Sequence, residues 1–549
     1  MTQLTSAISE VDRRFEELKS EFVNGWQSSC KDLRDYIQPT RGNFDEDTES
    51  RGEMINHQKV LDGYASLASE ILASGLLSGM TSPSRPWFKL ALDDDLFNND
   101  PTVRVWLDDT EKRIRSVLNQ SNIYQVLFGA YKEIGAFGTA CFIVLEDFED
   151  VVRGYSFTSG EYYLGIDNRG RVNAFGREYW MTVDQMVIEF GLESCSPQVQ
   201  SEYKNNARGT YHKVKHLIEK ADYKVDGLPT NGMEYRSVYW EGTSKNTDFL
   251  AKRGFNKFAV IAPRWETVTT HQVYGKGPGW NALGDIKQLQ KTADDKLKLQ
   301  EKLHNPPVTA NEDIEGFINL VPGGISRTSA NLPDGGVRPA YTVPDALQSF
   351  IEMENHLKEN IDKFFFVNLF LMILNMDRTN MTATEVAERQ QEKIMMMGSI
   401  LHRLQEELLD PLIDLVFGIM LDNGLIAQPP QQIQGMELKV KYISILAQAQ
   451  EAVGVNSIKR VMESAIGISQ VRPDILDNFD FDEVARQLNE GEGAPAKLIL
   501  DPQVVAEQRQ YKQQVQAMQQ MAQIGKDGGS GIKNIAEANK TANEAQQTQ

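Results

Sequence analysis

The chain has 549 residues, 41% hydrophobic and 24% charged, which is enough for more than one domain with a sizeable core. Its 57 Lys and Arg against 77 Asp and Glu leave a net charge of −20, the reverse of the basic footprint of a protein that grips phosphates. This argues against a tight, sequence-reading DNA binder, and charge alone does not separate a conduit through which DNA slides from an ordinary acidic cytosolic protein.

From the N-terminus, Ile8, Val11, Phe15, Leu18, Phe22, Trp26, Leu33 and Ile37 recur mostly three or four apart, predicting an amphipathic helix or helix pair stopped before Pro39. A second helix is expected from His57 to Met80. Its small residues (Ala65, Ala68, Ser69, Ala73, Ser74, Gly75) permit close helix contact, and Pro83 and Pro86 end it. Helices over Pro101–Gln120 and Tyr124–Phe137 follow, the first opening on proline. The pattern then turns to strands at 139–145, 151–157, 161–166 and 171–180. The last two flank Asp167-Asn168-Arg169-Gly170, a sequence suited to a hairpin turn. Further strands are expected at 235–240 and 258–263.

A polar, Lys-rich helix from Leu283 to His304 carries a narrow apolar stripe (Leu283, Ile286, Leu289, Ala293, Leu297, Leu303) and stops at Asn305-Pro306-Pro307. Residues 308–344 read as a small irregular or β module, with a strand-like piece at Phe317–Val321. Helix resumes over 345–374, with Leu347, Phe350, Leu357, Ile361 and Phe364 on one face, so two long helices flank a compact insertion. After a polar connection, Thr382 and Glu385 form a capping box that starts a helix reaching about Leu421, with a bend near Pro411 and a stop at Asn423-Gly424. Residues 439–488 read as one strand and short helices. The Gln-rich end carries a weak heptad from Val504 to Ala522, then a Gly-rich stretch that reads as flexible. The fold class is α+β, mainly α.

Four ordered segments resemble the head-to-tail connector (portal) family of short-tailed bacteriophages. The first is Arg14-Phe15-Glu16-Glu17-Leu18-Lys19 leading to Asp35-Tyr36-Ile37-Gln38-Pro39 and Arg41-Gly42. The second runs from Leu67-Ala68-Ser69 through Leu76 to Pro83 and on to Pro86-Trp87-Phe88-Lys89-Leu90. The third is Ala262-Pro263-Arg264-Trp265 with Tyr274-Gly275-Lys276-Gly277-Pro278-Gly279, and the fourth is Thr382-Ala383-Thr384-Glu385-Val386 with Arg389 and Glu392. The resemblance implies a wing at 1–282, a first stem helix at 283–304, a clip at 305–344 and a second stem helix at 345–374. It further implies a tunnel loop at 375–381, a long wing helix at 382–424, a crown at 425–500, and a C-terminal helix, barrel or flexible tail at 501–549.

By the same resemblance twelve copies form a ring at one capsid vertex of the virion, assembled in the host cytoplasm. Its partners are the major capsid protein, the terminase large subunit, tail adaptor or tail tube proteins, and double-stranded DNA passing without sequence specificity. Lys287, Lys291, Lys298 and Lys302 on the first stem helix, with Asn375, Arg378 and Asn380 in the loop, are the candidate channel-lining residues. Another phage head–tail structural protein, such as a tail adaptor, is the alternative.

Sharper chemical readings are weaker than plain ones. Tyr274 to Gly279 lacks the spacing of a phosphate loop and reads as a backbone turn. His212 and His216 lie four apart near Cys195 without a second ligand pair, which favours a solvated helix over zinc. The triplet Asp93-Asp94-Asp95 has no partner motif for metal-assisted catalysis. The three cysteines, widely spaced and odd in number, read as free thiols of a reducing compartment. The apolar run Phe364–Leu374 reads as packed core, far short of the roughly 20 residues that span a bilayer. Met395-Met396-Met397 reads as adaptable packing. No enzyme activity, cofactor, metal, membrane span or secretory signal is expected.

Overall fold

A computed structural model describes residues 2–44, 59–92, 100–221, 232–242, 249–310, 337–340, 347–375, 383–436 and 438–469, with Asn319 and scattered residues between 472 and 515. The chain divides into two compact units, Met1–Gln450 and Glu451–Gln549.

In the first unit the N-terminal pattern folds as a helix pair, α1 (Thr2–Gly25) and α2 (Gln27–Tyr36). Val11, Phe15, Leu18 and Phe22 of α1 are buried. They lie against an antiparallel sheet of β4 (Tyr162–Ile166), β5 (Val172–Thr182), β6 (Tyr211–Lys220), β7 (Tyr235–Glu241) and β8 (Ala251–Phe255), in that order. The Phe15 ring meets Tyr163 and Trp240 edge-on, each at 5.7 Å. Lys215 of β6 pairs with Asp12 and Glu16 of α1 at 2.7 Å. Because successive strand residues face opposite sides, Val214 and Tyr239 point the other way. There they join Met186 of α6 (Val183–Phe190), Val199 of α7 (Pro197–Lys204) and Cys195 in a second core. The turn from β4 to β5 forms as expected: the Asp167 carboxylate accepts from the amides of Arg169 and Arg171, and Gly170 takes φ +77°.

The helical core is built on α3 (Tyr64–Met80), which starts seven residues later than His57 because the Asp62 carboxylate accepts the Tyr64 amide at 2.8 Å; residues 57 and 58 lie outside the described part. Against it packs α5 (Ile123–Phe137), and α4 (Pro101–Gln120), capped by Asp100, packs on α5 in turn. A three-stranded sheet has the order β3 (Val151–Phe157), β2 (Cys141–Asp147), β9 (Val260–Ile261). The strand expected over 258–263 is thus reduced to two residues and a bridge between Thr139 and Arg264. β1 (Phe88–Leu92) pairs antiparallel with β12 (Leu438–Tyr442), tying two segments 350 positions apart in sequence into one ribbon.

The glycine run is backbone packing. Gly138 ends α5 in a left-handed conformation, and a Cβ there would lie 2.4 Å from the Gly277 amide nitrogen. A Cβ at Gly279 would lie 2.5 Å from the Ala136 carbonyl. Only glycine allows backbones this close, which explains the Gly-x-Gly-x-Gly spacing without a phosphate.

Several expectations are corrected. His212 and His216 lie on strand β6, both buried, and not on a solvated helix. Four strand residues span about 13 Å, too far for two ligands of one metal. His212 Nε2 meets Glu202 at 2.6 Å, whereas His216 stacks on Tyr239 and meets Ser237. The helix expected over 345–374 is broken into α9 (Leu347–Phe364) and α10 (Val367–Leu374), with Phe366 left-handed between them at φ +53°. Burial of Phe365, Phe366 and Phe370 holds that break and makes this run packed core. The long helix after residue 382 runs as α11 (Ala383–Leu404), a π-helical turn at Gln405–Leu409, and α12 (Asp410–Asp422). Pro411 lacks an amide hydrogen and its ring crowds the carbonyl of Glu407, so the helix is interrupted beside it by a widened turn, at the place where a bend was expected. Beyond β12, α13 (Ile445–Ser469) is one helix where short ones were expected; it begins in the first unit and ends in the second.

In the second unit the described residues among 505–515 are helical, and Arg509 pairs with Asp482. Thr382, Asp93–Asp95 and, apart from Asn319, Phe317–Val321 lie outside the described residues.

Candidate DNA-channel hairpin

The segment matching the expected stem begins with α8 (Pro278–His304), a 27-residue helix opened by proline and ended at Asn305. The chain then enters β10 (Val308–Ala310), which pairs antiparallel with β11 (Val337–Pro339), and returns along α9. The out-and-back hairpin expected from the sequence therefore forms.

Its base is fixed by buried apolar and polar contacts. Ala282, Ile286, Leu289 and Ala293 of α8, and Leu357 and Ile361 of α9, are buried. Buried Gln290 bonds the start of α3, its Oε1 accepting from the Leu61 and Asp62 amides and its Nε2 donating to the Asp62 carbonyl. Lys296 reaches across to Glu354 of α9 at 2.6 Å. Tyr64 donates to Asp362 at 2.7 Å, and burial, with that carboxylate, pushes its phenol up to about 12. Farther out, Leu297 (51% exposed), Ile351 (43%) and Met353 (41%) stay uncovered within one chain.

The sequence-derived site residues divide. Lys287, Lys291, Lys298 and Lys302 fall within about 60° of one another on α8, opposite the buried face. Yet Lys287 is paired with Asp32 at 2.7 Å, and Lys291 with Asp294 and Asp295 at 3.1 and 2.7 Å. Lys298 also binds Asp294, at 2.5 Å. The two lysines hold the Asp294 carboxyl below the usual carboxylate range, and hydrogen bonds to Asp295 and Asp294 raise Lys291. Lys302 is exposed and makes no ion pair with a described residue. The helix holds five lysines and four acids, Asp285, Asp294, Asp295 and Glu301, so its net charge is near zero. Asn375 caps α10, its amide donating to the Leu371 carbonyl at 2.8 Å. Arg378 and Asn380 lie outside the described residues.

The neutralising acids were missed in the sequence reading, although Asp294 and Asp295 stand three and four residues after Lys291, the spacing of helical ion pairs. Asp32 and Glu354 had no such local signal. Among the described residues no cluster of His, Cys, Asp or Glu is placed to hold a metal, and no helix is long and apolar enough to cross a membrane.

The hairpin can be set beside known proteins. The family described as bacteriophage head to tail connecting protein matches residues 9–500. The chain belongs to this head-to-tail connecting family. It is 38% identical over 538 residues to the probable portal protein of Bordetella phage BPP-1, covering 96% of each chain. It is 36% identical over 530 residues to the portal protein of Salmonella phage epsilon15, covering 96% of this chain and 94% of that one.

The segments that carried the resemblance frame the connector's core. Arg41 of the first binds buried Glu133 of α5 at 3.0 Å, and Gln38 donates to Ser69 of α3. Trp87 and Phe88 of the second open the ribbon with β12. Arg264 of the third, buried, is clamped by Glu407 in the π-helical turn and donates to the Gly170 and Gln272 carbonyls. Burial pushes the Glu133 carboxyl above its ordinary value against the pull of Arg41 and Thr158.

Proposed function

We infer that this chain is the portal subunit of a phage virion, twelve copies of which form a ring at one capsid vertex. The ring serves as the passage for genome packaging and ejection, receiving the terminase large subunit first and tail proteins afterwards. The observation that carries this reading is the family match across residues 9–500 with two portal relatives spanning nearly the whole chain. The hairpin adds physical support: Leu297, Ile351 and Met353 flank a narrow seam that one chain leaves bare, as a subunit flanked by two identical neighbours would.

In this reading residues 1–282 and 382–424 form the wing, and the stem pair is α8 with α9. Residues 305–344 are the clip, 375–381 the tunnel loop, 425–500 the crown, and 501–549 a tail or barrel. The Lys287–Lys302 stripe, Asn375, Arg378 and Asn380 face the duplex. The role is structural, with no reaction assigned to it. Negative-stain electron microscopy of the purified chain tests the ring: twelve chains of 61.9 kDa give closed particles of about 740 kDa. A chain that stays monomeric under every assembly condition overturns it.

A further inference from the structure

The loop joining β2 to β3 carries the most exposed large apolar side chain of the described residues, Phe148, fully in solvent at its tip. The backbone that presents the ring is firmly held. The Asp147 carboxylate accepts from the Glu149 and Asp150 amides at 2.8 and 3.0 Å, and Arg153 clamps Asp147 and Asp150, both at 2.9 Å. Val151 closes the turn at φ +70°, a conformation that costs a β-branched residue strain and that glycine or asparagine would take more easily. A rigid, strained turn that keeps an aromatic ring in water suggests a contact made elsewhere. Glu146 and Glu149 beside it are exposed and pair with no described residue.

The same unit carries a cleft of about 1260 Å³ between the β4–β5 turn, the 258–270 segment and the 398–411 stretch of α11, the π-helical turn and α12. Its lining is mixed: Phe258 and Val268, the latter 71% exposed, lie beside Glu406, Glu407 and Asp410, of which Glu406 pairs with His402, Glu407 with Arg264 and Asp410 with Tyr442. On its rim Arg169 and Arg171 are exposed and pair with no described residue. Their backbone is fixed by Asp167, and Arg264 holds the intervening Gly170 carbonyl at 2.8 Å.

We propose that the Phe148 loop of one copy docks in this cleft of the next, Phe148 on Phe258 and Val268 and Glu146 and Glu149 against Arg169 and Arg171. Two exposed acids beside an aromatic knob match two exposed arginines beside a cleft whose own carboxylates already have partners, and knob and cleft belong to the same chain. Each copy then gives one contact and receives one, the head-to-tail arrangement that closes into a ring or runs on as a filament. The proposal rests on the portal reading for its ring, but the contact itself does not require closure.

The test uses the full chain with Phe148→Cys and Val268→Cys together and a short bifunctional thiol reagent. Cys30, Cys141 and Cys195 are all buried, so the unsubstituted chain is a blank. A ladder of covalent dimers, trimers and larger species on a denaturing gel is expected, absent from either single variant. In parallel, Glu146→Arg with Glu149→Arg, and Arg169→Glu with Arg171→Glu, should each lower the yield of assembled particles at least tenfold, and the fourfold variant should restore it. These side chains are exposed, so folding is checked by circular dichroism and expected to match the parent. Absence of the ladder, or assembly indifferent to both reversals, overturns the contact even where rings form. A ladder from a chain that never closes a ring supports the contact and overturns the ring alone.

Discussion

Replacing Gly75 by alanine should destabilise the connector although alanine is the better helix former. Gly75 lies on the face of α3 that meets α10. A Cβ built there would stand 2.2, 2.3 and 2.4 Å from Cδ1, Cγ and Cβ of Phe370, against an ordinary carbon contact of about 3.5–4.0 Å. The clash includes the Cβ of Phe370, which no rotamer change moves away, and Phe370 is fully buried beside Leu369. Helix α10 must therefore retreat by about 1 Å, an overpacking that costs about 1–3 kcal/mol. With so little freedom the upper end applies, and the gain of roughly 1 kcal/mol in helix propensity leaves a net loss of about 2 kcal/mol. Gly418 on α12 has no atom within 4 Å of such a Cβ and serves as the control, with Gly418→Ala stabilising by about 0.5–1 kcal/mol. Hydrogen exchange read on peptides of α3 and α10 should speed up roughly 30-fold in Gly75→Ala, the rate equivalent of about 2 kcal/mol. Exchange that slows in both variants alike would show that α3 and α10 are not packed this closely.

Two further outcomes follow from buried and paired charges. Burial, then Arg177 and Arg253, hold the His216 imidazole well below its ordinary value, so the unfolded chain takes up a proton first as pH falls. The contribution of His216 is complete above pH 6.5 and is lost on acidification at up to about 1.4 kcal/mol per pH unit; His216→Gln should flatten urea-unfolding stability below pH 6.5, and an unchanged slope would place that pH dependence elsewhere. On α8, Asp294→Asn frees Lys298 and leaves Lys291 paired with Asp295 alone, which should steepen the salt dependence of DNA binding by assembled rings, whereas Lys291→Glu with Lys298→Glu should flatten it. Equal slopes in all three proteins would mean that the stripe faces away from the duplex.

Where local chemistry decides, the sequence was readable. Prolines 101 and 278 open helices, Asn423-Gly424 closes one, and Asp167–Gly170 makes its hairpin turn. The hairpin of α8 and α9 was legible for the same reason, since Asn305-Pro306-Pro307 forces a stop and apolar spacing resumes on the far side. What failed depended on distant partners. His212 and His216 share a helix-compatible spacing of four, and only the neighbouring strands β5 and β7 make that segment a buried strand. Phe366 breaks its helix where α9 packs Leu357 and Ile361 toward α8 while α10 packs Phe370 toward α3, which periodicity within 30 residues does not reveal. Pairing of β1 with β12 spans most of the chain and leaves no trace in either segment alone.

The lysines of α8 sharpen how an acidic chain can surround DNA. Their density suggests a basic stripe, but Asp294 sits between Lys291 and Lys298 and binds both, and Asp32 takes Lys287. A phosphate reaching these lysines must compete with a carboxylate already in place, so each contact exchanges one anion for another and gains little. On the portal reading such a wall would neither hold the duplex nor repel it strongly along α8, while the acidic remainder of the chain would discourage other binding. Lys302, outside any described ion pair and near the end of α8 that leads into β10, is the exception, and on the portal reading twelve copies of it in a ring would form one narrow basic band in an otherwise balanced bore. A band of that kind can meet phosphates one after another without retaining any, because each step along the backbone replaces one contact with an equivalent one.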